Sequence, residues 1–289
     1  MNAPSAAPLF IIGAPRSGNT LTRRVLLASG QIYIPPETYV IGEILSRWPK
    51  WGRLTWREKV WMVCAYFDRH PHRDDFEIES FTPFADAASG WPGSQQTVQH
   101  LYDALYAFMA RAHGHTEARW GDKTPWNTVH LAHIVRTYPK AYYLHLKRDG
   151  LDVVASQVQA GMRDVSASAQ RWMDANEACL KHTKSMKRPP LSVAYEDLVR
   201  RPEEEFARIF DWAGLEFSPD YLTSVPQRMG DVHRHAHHAA VTKPITAASI
   251  GRWRERLGPE DLTRLPRGFN AMMGRLGYAP AGACQARGA

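Results

Sequence analysis

A three-layer α/β fold, with a central parallel sheet flanked by helices, is predicted by three features of the sequence. Short apolar runs of strand length, residues 8–13 (PLFIIG), 141–147 (AYYLHLK) and 191–195 (LSVAY), are each followed by a segment with helical spacing. Strands alternating with helices in this way imply a parallel sheet covered on both faces. The first run leads through a loop of Gly, Pro and Ser into a helix, which is how a βαβ unit begins. The 289 residues, 44% apolar and 22% charged, can build one full-sized core, and global disorder is excluded.

In chain order, residues 1–8 are rich in Ala, Pro and Ser and read as a loose tail. Residues 280–289 read the same way, which leaves one domain over 9–279. Residues 8–13 are the first strand, 13–20 a loop, and 21–29 a helix closed by Gly30. Residues 31–34 are a second short strand, ending in the turn Pro35-Pro36-Glu37-Thr38. Residues 39–112 read as mostly helical and carry Trp48, Trp51, Trp56 and Trp61. Thr124-Pro125 is a helix start, with Thr as N-cap and Pro in the first turn, and that helix runs to about Tyr138. The strand at 141–147 then leads into helices over 149–160 and 166–186. The strand at 191–195 is followed by a helix over 202–212. Residues 225–250 look irregular, and two short helices follow near Pro259 and Pro266.

Lys and Arg total 36 against 29 Asp and Glu, a net charge of +7 that favours an anionic ligand. The positive charge is dispersed and no nucleic-acid-binding motif accompanies it, so nucleic acid is not the expected partner. The cysteines, Cys64, Cys179 and Cys284, lie far apart with no CxxC pair, which argues against a disulfide framework. No apolar run is long enough to span a bilayer and no signal peptide is evident, so a cytoplasmic location is expected.

The chemistry concentrates in Gly13-Ala14-Pro15-Arg16-Ser17-Gly18-Asn19-Thr20, which nearly spells the nucleotide phosphate loop GxxxxGK[ST]. Small residues let backbone N–H groups turn inward, and the following helix aims the positive end of its dipole at an anion. Asn19 stands where the lysine that reaches the β- and γ-phosphates would be, and a basic residue appears instead at Arg16. An ordinary glycine-rich βα turn is the plain alternative.

At these residues the chain resembles the sulfotransferase family, whose 5′-phosphosulfate loop PRSGTTL matches Pro15-Arg16-Ser17-Gly18-Asn19-Thr20-Leu21 with Asn19 for Thr. The resemblance implies a P-loop-like fold and transfer of a sulfuryl group from 3′-phosphoadenosine 5′-phosphosulfate (PAPS), leaving PAP. It further implies a 3′-phosphate site formed by an Arg at a strand end and a Ser eight residues on. Arg148 and Ser156 fit that pattern. Gly121-Asp122-Lys123-Thr124-Pro125, Tyr195-Glu196-Asp197-Leu198, Lys243-Pro244 and Ser249-Ile250-Gly251-Arg252-Trp253 resemble further family segments. Lys243, Ser249, Gly251, Arg252 and Trp253 would thereby close over the nucleotide, with Tyr195 also at the donor site. The flavour is that of tyrosyl-protein sulfotransferases and bacterial enzymes.

For the reaction, Arg16 and Lys123 are the expected charge stabilisers, with no metal demanded. Glu37 is the expected general base, since the turn after the second strand can bring it to the phosphate loop, and Glu43 is held in reserve. The plain alternative for Glu37 is a helix-initiating acid. The acceptor that the resemblance implies is a hydroxyl on a carbohydrate, a lipid-linked glycan, a small natural product or a peptide tyrosine, among which the sequence does not choose. A phosphate-loop nucleotide kinase and a non-catalytic PAP-binding protein are the rival functions. His233, His235, His237 and His238 read as a loop or lid, and the tryptophans at 48–61 as part core and part acceptor groove.

Overall fold

The computed structural model describes residues 7–115, 119–226 and 242–281. Within them, β1 (Leu9–Gly13), β2 (Ile32–Tyr33), β3 (Arg119–Asp122), β4 (Tyr142–Lys147) and β5 (Leu191–Ala194) form one sheet. The strands are all parallel, in the order β2-β3-β1-β4-β5. Leu9 lies opposite Gly121 on one side and Tyr142 on the other, and Gly13 lies opposite Leu146. The chain leaves β1 toward β2 and leaves β4 toward β5, in opposite directions. That divergence opens a crevice beyond the carboxyl ends of β1 and β4, where α/β sheets bind ligands.

The helices follow from the apolar spacing. The helix α1 (Asn19–Ala28) joins β1 to β2, and α2 (Val40–Arg47), α3 (Trp56–Asp68), α4 (Thr82–Ser89) and α5 (Val98–Ala112) lead to β3. Thr55 starts α3 with a capping box to Glu58, and Thr97 caps α5. The helix α6 (Leu131–Thr137) precedes β4, and α7 (Gly150–Gln159) and α8 (Val165–His182) precede β5. The helices α9 (Tyr195–Arg200), α10 (Pro202–Ala213), α11 (Trp253–Arg256), α12 (Pro259–Thr263) and α13 (Phe269–Arg275) complete the described fold. The main core gathers the sheet with Val25, Ile41, Phe67, Leu105, Ile134 and Phe210. A second cluster, including Leu151, Val154, Trp172, Phe269 and Met273, joins α7, α8 and α13. No described helix is long and apolar enough to cross a membrane.

Several boundaries differ from those predicted, each for a local reason. The strand β3 has no apolar run to announce it. Its Gly121 and Asp122 are poor strand formers, and Gly121 is needed because a Cβ there would lie 2.7 Å from the Leu9 carbonyl. Thr124 does not cap an α-helix with its side chain, because its hydroxyl accepts from the Thr38 N–H at 3.1 Å. A 3-10 turn over Pro125–His130 therefore intervenes before α6. Tyr195 opens α9 instead of ending β5. At the ends, Pro8 is buried and its carbonyl accepts from Tyr142 N–H. Ala281 N–H donates to Asn270 Oδ1 at 2.8 Å, so the fold reaches slightly past the expected tails.

Candidate active site

Backbone geometry shapes the loop after β1. Gly13 has φ 147 and Gly18 has φ 90, and neither site has room for a side chain. A Cβ would lie 2.3 Å from the Leu146 carbonyl at Gly13, and 2.7 Å from the Tyr195 ring at Gly18. Arg16 adopts the left-handed region, φ 68, in spite of its Cβ. Gly18 is the N-cap of α1 and no side chain caps that end. The first N–H groups of α1 thus open on a cleft of about 420 Å³ that Gly18, Asn19, Thr20 and Leu21 line. Asn19 Nδ2 donates to the Ala14 carbonyl at 2.9 Å and braces the loop.

The ends of β1 and β4 meet at two arginines. Arg16 Nε donates to Ser156 Oγ at 3.0 Å, and Arg148 Nη1 donates to the Arg16 carbonyl at 2.8 Å. Arg148 Nη2 donates to the Ser249 carbonyl at 2.9 Å. The Arg148 guanidinium lies 4.2 Å from the centre of the Tyr195 ring, and the Tyr195 hydroxyl is 2.6 Å from Ser249 Oγ. Burial, and after it the neighbouring Arg148, pushes the Arg16 guanidinium below its usual value. Two cations forced together this way gain from an anion between them.

The third component comes from β3. Lys123 follows that strand, and its fully buried side chain donates through Nζ to Glu37 Oε1 at 2.6 Å and to Thr20 Oγ1 at 3.4 Å. The ammonium absent from position 19 thus reaches the phosphate loop from a different strand. Glu37, 18% exposed, lines the cleft, and its Oε2 accepts from the Tyr39 hydroxyl at 2.6 Å. Beneath this pair, buried Asp122 ties the two segments together. Its Oδ2 accepts from Tyr106 Oη at 2.6 Å and Thr38 Oγ1 at 2.9 Å, and its Oδ1 from Asn127 Nδ2 at 2.6 Å. Burial pushes the Asp122 carboxyl up, against the hydrogen bonds that favour its charged form.

Of the residues singled out in the sequence, Pro15, Arg16, Gly18, Asn19, Thr20, Leu21, Glu37, Arg148, Tyr195, Lys243, Ser249 and Arg252 all line this cleft. Ser17 is buried in the loop with its hydroxyl unpartnered. Ser156 does not line the cleft and acts through Arg16. Gly251 and Trp253 were expected at the nucleotide. Their backbone N–H groups donate to Asp152 at 2.7 and 3.0 Å and so clamp the late segment onto α7. Glu43 pairs with Arg47 at 2.7 Å outside the cleft. Trp48, Trp51, Trp56 and Trp61 belong to the core and its margin and none lines the cleft. The tryptophan that does is Trp126, 40% exposed, with Met162, 43% exposed, on the same cleft. His233, His235, His237 and His238 lie outside the described residues.

The cleft fits a phosphorylated anion. The unpartnered Ser17 hydroxyl and Arg148 Nε sit at the loop, beside an uncapped helix start and two adjoining guanidiniums. The model of the sulfotransferase family matches residues 8–219. Protein-tyrosine sulfotransferase A of Caenorhabditis elegans is 24% identical over 285 residues, covering 94% of this chain and 67% of that protein. Protein-tyrosine sulfotransferase 2 of Gallus gallus is 25% identical, covering 94% and 69%. The solved sulfotransferase domain of the Synechococcus PCC 7002 olefin synthase superposes with a TM-score of 0.64 at 21% identity, covering 97% of this chain and 99% of that one.

Proposed function

From the premise that the chain belongs to the sulfotransferase family, we propose that it takes its sulfuryl group from PAPS and delivers it in line to an acceptor hydroxyl, with Glu37 as base. The observation that carries this reading is the convergence of Arg16, Arg148 and Glu37 on one cleft, with buried Lys123 paired to Glu37 behind it. The loop N–H groups and the start of α1 hold the 5′-phosphosulfate. Arg148, stacked on Tyr195 and braced by Ser249, receives the 3′-phosphate together with Ser156 by way of Arg16. Lys123, between Thr20 and Glu37, neutralises charge on the departing phosphate oxygen. Glu37 takes the acceptor proton at a carboxylate oxygen as the new S–O bond forms. PAPS supplies the sulfuryl group; every cationic contact in this scheme is the chain's own.

Family membership removes the nucleotide-kinase alternative. The non-catalytic alternative and the donor assignment are tested together. Calorimetry should show PAP binding at least about 30-fold tighter than AMP, as for a paired 3′-phosphate. Mass spectrometry should show sulfate transfer from PAPS to a panel of hydroxyl acceptors. Glu37→Gln should cut turnover about 10²–10⁴-fold while PAP still binds. Equal affinity for PAP and AMP overturns the donor site, and unchanged turnover overturns the base.

A further inference from the structure

Tyr39 has no role in the chemistry described so far, yet its geometry is specific. It lines the cleft and holds φ 56, ψ −8, a left-handed conformation that costs a tyrosine roughly 1–2 kcal/mol. Strain of this kind persists only where neighbouring structure enforces it. Here the enforcement is visible on both sides of the ring. One is a stack on His70, with centroids 5.5 Å apart and planes at 12°, and His72 lies 6.2 Å away. The other is the hydroxyl, which donates to Glu37 Oε2 at 2.6 Å while Lys123 holds Oε1 at 2.6 Å. Each carboxylate oxygen therefore has its own fixed donor, on opposite sides of the group. As N-cap residue of α2, Tyr39 makes no side-chain cap to that helix, so its hydroxyl serves the carboxylate instead.

We propose that Tyr39 is a positioning residue for the base: its phenol fixes the plane of the Glu37 carboxylate toward the phosphate loop and moderates its basicity. The proposal rests on Glu37 being the base. With Lys123 on Oε1, the Tyr39 hydroxyl on Oε2 fixes the plane of the carboxylate, and the His70 stack holds the phenol in place. A hydrogen bond to the charged form also favours ionisation, so the base stays deprotonated to lower pH than it would without the phenol.

The test is Tyr39→Phe, which keeps the ring and its stack and deletes only the hydroxyl. Turnover with PAPS should fall roughly tenfold with KM for PAPS unchanged. The acid limb of the kcat profile should move up by about one pH unit, as when a carboxylate loses one donor. Among the described residues, the other charged groups facing the pair include Lys123, Arg16, His70 and His72, with Glu43 and Asp75 acting on His70. Tyr39→Phe leaves all of them in place, so they cancel in the comparison. In a Glu37→Gln background the same change should cost nothing further. A Tyr39→Phe profile that overlays the parent's, with Glu37→Gln inactive, overturns the role of Tyr39 alone. A fully active Glu37→Gln overturns the base itself.

Discussion

Gly18→Ala probes how the phosphate loop and the 3′-phosphate arginine depend on each other. The added methyl would stand 2.7 Å from the Tyr195 ring, in a backbone conformation of φ 90 that disfavours any side chain. The left-handed strain costs about 1–2 kcal/mol and lowers stability by a few degrees of Tm. The larger consequence lies at Tyr195, which must move away. Its ring supports the Arg148 guanidinium at 4.2 Å, a contact of about 0.5–2 kcal/mol. Its hydroxyl contact to Ser249 at 2.6 Å is worth about 1 kcal/mol more. Losing this scaffold should weaken PAP binding by roughly 1.5–3 kcal/mol, a rise in Kd of about 10- to 150-fold. Titration calorimetry with PAP and with AMP measures it, and AMP affinity should change far less. A variant that folds and binds PAP within threefold of the parent would refute the coupling.

Two more outcomes follow from the geometry. Lys123→Met keeps the buried volume but strips the ammonium from Glu37 and Thr20, and turnover should fall about 10²–10³-fold. Turnover within threefold of the parent in a variant that folds would exclude Lys123 from the reaction. His145 on β4 is buried against Asn176 Oδ1 at 3.1 Å, and burial holds its imidazole down at about 4. The unfolded chain takes up that proton near pH 6.5, so the stability gained from neutral His145 is complete above pH 6.5 and declines as pH falls toward 4, by up to about 3 kcal/mol. Asp103 and Asp149, both pushed up to about 6 by burial, oppose this slope over the same range, so the measurement is the difference between parent and His145→Gln. A difference that is flat from pH 7 to 4 would show that His145 takes up no extra proton on unfolding.

What the sequence made legible was local. The loop at 13–21 declares itself through consecutive residues, and Arg148 with Ser156 through one strand-to-helix junction. Less legible were pairings across distance. Glu37 and Lys123 are 86 positions apart, and nothing near either residue signals the 2.6 Å contact between them. The strand that delivers Lys123 stayed hidden because two of its four residues are Gly and Asp, and parallel pairing on both sides overrides their preference. Asn19 and Gly251 were recognisable as site positions, but their partners, a loop carbonyl and a helix carboxylate, appear only in three dimensions. Trp126 was passed over for the tryptophan-rich stretch, since clustering in sequence is no guide to which ring meets a cleft.

The buried carboxylate of Asp122 bears on how acceptor preference can diversify. It fastens the segment before α2, the end of β3 and the turn at Asn127 to one point below the reacting groups. Chemistry and recognition are thereby separable: most of the helical stretch between β2 and β3 can be recut by mutation or grafting without disturbing the base and its lysine. The exceptions are the one turn of α5 that carries Tyr106, whose hydroxyl completes that knot, and His70, whose ring stacks on Tyr39 beside the base; both must travel with any transplant.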